Sequence, residues 1–214
     1  INRFVESENS FLNYITNTDS TEKNYDEALF YLERINFKTG KYGSETAIAE
    51  NFITKYPSSP RSLKLLSDLA RYYRTAGNHE ESIEKYKIII NNPLYSAYAD
   101  SAALLIADTY AAYGKHDRAA DFLKQTIYES SDSLKTQKMY HKLGILNEDW
   151  EHFAEAIAWY DSSLTINISR DISVKSLFGI GRIYKNSNHW FEATKTYERL
   201  INEFSDSTKR FISK

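Results

Sequence analysis

Residues 66–86 read LSDLARYYRTAGNHEESIEKY, and their pattern decides the fold. Leu66, Leu69, Ala70 and Tyr73 recur at helical spacing and form one apolar stripe. Gly77 interrupts that pattern, and Ser82, Tyr86 and Ile89 make a second stripe. The stretch reads as a helix, a glycine turn and a second helix.

An interval of 37 residues carries the same hairpin along the chain. Ser82 aligns with Ala119, Ala156 and Ala193, and Tyr86 with Leu123, Tyr160 and Tyr197. His79 aligns with His116, Phe153 and Trp190. On the preceding helix Leu69, Ile106, Leu143 and Ile180 keep the interval, each followed by a small residue: Ala70, Ala107, Gly144 or Gly181. Tyr73, Tyr110 and Tyr184 recur too, with Asn147 as the exception. A small residue at a helix crossing lets two backbones close, and large aromatics fill the flanking gaps. Gly40, Gly77 and Gly114 stand where the first helix must end, a position that favours φ > 0; Glu151 and Asn188 replace glycine in the last two hairpins. One hairpin cannot bury both of its faces, so neighbours must stack into a solenoid.

Toward the N-terminus, Phe4, Phe11, Leu12 and Ile15 predict an amphipathic helix, followed by a polar loop from Asn17 to Glu22. Helices are expected over 25–37 and 42–56, with a firm boundary at Pro57-Ser58-Ser59-Pro60 because proline cannot continue a helix interior. Stepping the interval back from the good repeats gives Leu32, Tyr42 and Phe52, but Glu33 and Glu45 fall where small residues belong. Tyr25, Ala28 and Leu32 could instead pair their helix with residues 2–17.

This pattern resembles the tetratricopeptide repeat family. Tyr140, Leu143, Gly144, Phe153, Ala156 and Tyr160 match its large, Leu-Gly/Ala, Ala and Phe/Tyr positions best, and Leu177, Ile180, Gly181, Tyr184, Ala193 and Tyr197 nearly as well. The resemblance covers about 26–210 and implies an all-α, right-handed α-solenoid of antiparallel helix pairs with about five repeats plus partial terminal helices. The expected organisation is an N-terminal helix and loop over 1–24, repeats near 26–62, 63–99, 100–136, 137–173 and 174–210, and a helix stub at 211–214. The junctions FITKYPSS (52–59) and LINEFSDS (200–207) are similar to those of bacterial envelope members of the family. That likeness favours a periplasmic or outer-membrane-anchored setting over the cytoplasm. A chain that starts at Ile1 rather than Met reads as a processed or trimmed piece.

Composition narrows the function. The 214 residues contain no cysteine, which removes disulfides, Cys-based zinc sites and Cys nucleophiles. A net charge of −2 argues against a general nucleic-acid binder, and no apolar run approaches a membrane span. The nucleotide-binding and nucleophile-elbow motifs are missing, and Gly179 and Gly181 lie inside a helical stripe rather than after a strand. His79 and His116 occupy a turn-facing aromatic position, and His152 with Glu155 lacks the second histidine of a metalloprotease helix. No cofactor, metal or catalytic residue is expected. Asn167-Ile168-Ser169 is a formal glycosylation sequon. Most of the seventeen tyrosines fall on repeat core positions.

In the family resembled, the first helix of each pair lines the concave face. Mapped onto this register, the groove residues are Tyr31, Arg34, Lys64, Asp68, Arg71, Arg74, Leu104, Asp108, Lys138, His141, Lys142, Phe178, Arg182 and Lys185. With Lys38, Lys175, Glu27, Glu148 and Asp149 added, bases outnumber acids two to one. Such a groove suits an acidic segment or a C-terminal carboxylate of another protein. The Lys and Asn pair with which some members clamp chaperone C-termini is not carried over: Phe30/Arg34, Ser67/Arg71, Leu104/Asp108, His141/Ile145 and Phe178/Arg182 stand at those positions. The expected function is a non-enzymatic scaffold for another protein. The alternatives are a peptide-sensing module of a larger protein and, more distantly, an RNA-binding repeat. Phe4, Phe11, Phe211 and Ile212 are candidate contacts for self-association.

Overall fold

The computed structural model describes residues 2–17, 24–39 and 44–212. They form eleven α-helices and one 3-10 turn, with no strand among the described residues. The helices are α1 (Asn2–Asn17), α2 (Tyr25–Thr39), α3 (Ser44–Lys55), α4 (Pro60–Thr75), α5 (His79–Asn91), α6 (Ser96–Ala112), α7 (His116–Tyr128), α8 (Ser133–Asp149), α9 (Phe153–Ile166), α10 (Arg170–Asn186) and α11 (Trp190–Ile212), with the 3-10 turn at Pro93–Tyr95. They divide into two compact units, Ile1–Ala102 and Ala103–Lys214.

Four hairpin turns share one geometry. Gly77, Gly114, Glu151 and Asn188 all adopt positive φ, at 83°, 69°, 62° and 62°. In each turn this residue donates its N–H to a carbonyl three residues back, and the next N–H reaches five residues back, as in Asn78 to Tyr73 at 2.8 Å and His152 to Asn147 at 2.8 Å. That double bond pattern satisfies the orphan carbonyls of the first helix and reverses the chain. The register read from the sequence therefore places these four turn residues correctly, including the two that are not glycine.

In unit 1, α2 packs against α1, α3 and α4, so both partners weighed for it are present. Leu29, Phe30, Phe52 and Leu65 are buried together, with Tyr25, Ile53 and Tyr56 against them. The expected break at 57–60 is built as proline chemistry requires. Ser59 caps α4 by accepting from Arg61 N, and Pro60 takes the first helical position, where no N–H is needed. Tyr95 locks this corner by donating to Pro57 O at 2.7 Å. Gly40 and Tyr42, and the side chains of Phe4, Glu33, Lys38, Glu45, Phe211 and Ile212, lie outside the described residues.

In unit 2, α8 packs on α9, and α10 packs on α8, α9 and α11. Tyr160 of α9 is 1% exposed and lies against glycines on both neighbours: a β-carbon on Gly144 of α8 or on Gly179 of α10 would run into its ring. Gly181 stands in the same relation to Tyr197. The small-residue positions are thus sites of close approach. Phe204 breaks α11 with φ −134° and ψ 28°, and helical backbone resumes at once through Ile212. Residues 205–212 therefore lie on a helix that begins before position 211, where a stub was expected. Phe204 is the register equivalent of Tyr56, so the chain breaks at the same point of both junctions.

Candidate functional site

Consecutive first helices are offset by about one turn relative to the 37-residue interval. Three ion pairs report it, each 34 residues apart in number: Glu27–Arg61, Asp108–Lys142 and Glu148–Arg182. A residue therefore faces the position three short of its own equivalent in the next repeat. This offset decides which charges on the predicted groove face neutralise one another.

In unit 2 the pairing is close to one to one. Lys142 of α8 pairs with Asp108 of α6. Arg182 of α10 donates Nε to Glu148 Oε1 at 2.6 Å, and that bond raises its already high pKa further. Lys175 pairs with Asp171 at 2.6 Å. Leu104 and Lys138 are half-buried, Lys185 is exposed, and Phe178 is exposed with its ring 6.0 Å from that of Tyr197. Counted with Asp171, which the sequence reading of the groove omitted, the face retains little surplus charge.

Behind it runs a buried polar chain that the sequence reading missed. Gln137 is fully buried; its Oε1 accepts from Ile168 N and Ser169 N, and its Nε2 donates to Ser173 Oγ at 3.1 Å. Ser163 donates to Gln137 O, Ser176 donates to Ser163 Oγ, and His141 Nδ1 lies 2.9 Å from Ser176 Oγ. Burial, with Lys175 and Lys142 nearby, holds the His141 imidazole down at about 4. Tyr160 donates to Glu148 Oε2 at 2.8 Å; burial and that carboxylate push its phenol above the ordinary range. Serine and glutamine carry no periodic signal, so only packing reveals that these groups meet. His141, predicted as a groove residue, is instead the outer end of this chain.

Unit 1 behaves differently. Lys64 and Arg71 of α4 both reach a single oxygen of Asp68, at 3.2 and 2.7 Å, and Asp68 is 4% exposed. The Glu27–Arg61 offset sets Arg34 of α2 level with Asp68, and α2 packs on α4. Arg34 lies over the Phe30 ring at 5.9 Å. Arg74 follows Arg71 one turn on, and neither Arg34 nor Arg74 makes an ion pair to a described residue. Two bases thus share one buried acid. Tyr31 points elsewhere on α2: its ring stacks on Phe11 of α1 at 5.8 Å.

Among the described residues no group of three or more His, Asp or Glu side chains could hold a metal, and no helix is long and apolar enough to cross a membrane. Beyond Tyr86, Tyr95 and Tyr160, most tyrosines are only half-buried, and Tyr98, Tyr113 and Tyr128 are exposed.

The fold defined by these hairpins is that of tetratricopeptide-repeat proteins. Residues 175–207 match the family model described as tetratricopeptide repeat. The fold also matches BtubC (BKLC) from P. vanneervenii, with TM-score 0.57 and 16% identity over 93% of this chain and 90% of that one. A tetratricopeptide repeat protein from Parabacteroides merdae gives 0.53 and 18% over 86% and 69%. A kinesin light chain of nearly identical TPR-like repeats from Podospora anserina gives 0.52 and 16% over 84% and 95%. No curated protein matches the chain.

Proposed function

We propose that the chain is a non-enzymatic scaffold that holds a segment of another protein on the faces of its first helices, and that the segment it takes on unit 1 is acidic. The fold supports the first part, since stacked helix pairs of this family present extended surfaces to other proteins. One observation carries the second: Lys64 and Arg71 converge on one buried oxygen of Asp68, while Arg34 and Arg74 add charge that no described residue pairs. Asp68 orders two cations in advance and cancels only one, so a bound carboxylate meets fixed donors. The envelope setting rests on the junction resemblance, and recovery of the protein in the cytoplasmic fraction of its source cells would overturn it.

The test is binding of a labelled Glu-rich peptide, read by fluorescence anisotropy across a salt series. Replacing Arg34 and Arg74 together by Ser is expected to weaken binding on the order of tenfold and to flatten its salt dependence. Neither residue holds Asp68, so the fold should persist. Undiminished binding by the double variant would show the acidic-segment reading to be wrong.

A further inference from the structure

Between α1 and α2, unit 1 carries an open cleft of about 390 Å³ whose walls are aromatic. Phe11 and Tyr31 stack at 5.8 Å with their planes 21° apart, and Tyr14 stands one turn along α1 from Phe11. Tyr14 and Tyr31 are 37% and 45% exposed. Glu27 is the single charged residue among the described ones that line the cleft, and it lies one turn before Tyr31 on α2.

Among the described residues the charged group lining the cleft is the Glu27 carboxylate, while Arg34, one turn beyond Tyr31, lies over the Phe30 ring. Arg61 faces Glu27 at 3.4 Å, but the same guanidinium holds Asp26 at 2.5 Å, so two carboxylates share one cation. Aromatic faces attract cations through their quadrupoles, and a carboxylate beside them adds long-range attraction while it repels anions. Apolar walls also accommodate an alkyl chain. Few groups satisfy all three demands; an ammonium carried on an alkyl stem does.

We propose that the α1–α2 cleft is a subsite for a cationic side chain of a bound protein segment, lysine or a methylated lysine. Its lining differs in charge from the basic cluster, whose Arg34 lies one turn beyond Tyr31 on α2. The inference rests on the scaffold reading for the source of the cation and on the cleft for its chemistry.

The test uses the full chain and three short peptides that differ at one position: lysine, trimethyllysine, or the neutral norleucine. Binding is read from ring signals of carbon-labelled tyrosine in an NMR titration. Both cationic peptides are expected to shift the Tyr14 and Tyr31 signals and to bind at least about tenfold more tightly than the norleucine peptide. Glu27→Gln and Tyr31→Ala should each erase that preference, and Tyr31→Phe should retain it. Equal affinity for norleucine would reduce the cleft to a plain apolar groove and overturn the proposal, as would the absence of ring shifts with all three peptides. Choline, added as a fourth probe, would overturn the side-chain source if it bound more tightly than trimethyllysine. Loss of the lysine preference with acidic-peptide binding intact removes this inference alone; loss of acidic-peptide binding with the preference intact removes only the reading of the α4 face.

Discussion

The ring of Tyr160 occupies the space that a side chain on Gly179 would need: a β-carbon there would lie 2.7 Å from Tyr160 Cζ. Gly144 closes on the same ring from the other side. The two contacts bring α8 and α10 onto α9, and the Tyr160 hydroxyl then reaches Glu148. Gly144→Ala and Gly179→Ala each gain helix propensity worth about 1 kcal/mol. Overpacking a buried ring that is hydrogen-bonded at its tip costs about 1–3 kcal/mol or more. Both variants are expected to unfold at lower urea, and a stabilised Gly144→Ala would show that the ring can move aside.

Glu151 pays a backbone cost that Gly77 and Gly114 avoid in the same turn. Its φ of 62° is left-handed, which disfavours a residue bearing a β-carbon by about 1–2 kcal/mol. Against that stands the extra entropy that glycine loses on folding, about 0.5–1 kcal/mol. Glu151→Gly is expected to be stabilising by roughly 0.5–1 kcal/mol, and Glu151→Ala should fall short of it. Chemical denaturation of the two variants side by side decides the matter.

Ser82 stands where the later hairpins use Ala119, Ala156 and Ala193, and it is fully buried. Its hydroxyl finds no partner among the described residues. An unsatisfied buried hydroxyl costs about 1–3 kcal/mol, and Ser82→Ala removes the group with little change in volume. The substitution should raise the melting temperature. A fall would mean that the hydroxyl is satisfied in solution.

His141 makes stability depend on pH. Its folded pKa of about 4 lies below the 6.5 of a free imidazole, so the native state favours the neutral ring. Its contribution is complete above pH 6.5 and is lost as pH falls from 6.5 towards 4, by up to about 3 kcal/mol. Burial lowers the value most, Lys175 and Lys142 lower it further, and Asp171 and Glu148 raise it. Denaturation midpoints of the wild type and His141→Gln, measured between pH 4.5 and 7.5, should converge as the pH falls. Parallel curves would place the pH dependence on other groups.

The hairpins, their turns and their small-residue contacts were legible in the sequence because each depends on local backbone chemistry or on a periodic interval. Glu151 and Asn188 illustrate this: neither is glycine, yet the register alone assigns them the left-handed position. On the expected groove face, Lys64 and Arg71 converge on Asp68, whereas Arg182 and Lys142 are each matched by an acid of a neighbouring first helix. Asp171 escaped the count because it lies at the start of α10, away from the stripe. The cleft escaped notice because Phe11 and Tyr31 come from helices outside the clear repeats.

What the amino-acid sequence determined by itself is therefore the repeat: where helices start, turn and touch. These follow from proline and glycine stereochemistry and from 3.6-residue periodicity, which act over a few residues. What only the tertiary structure decided is the electrostatic identity of each face. The one-turn offset between first helices pairs Glu148 with Arg182 and Asp108 with Lys142, whereas on α4 Asp68 is held by Lys64 and Arg71 of its own helix. A shift of three residues along a helix changes which charges meet, and an ion pair exists only within about 4 Å, so no count of charges along the chain could foresee the outcome.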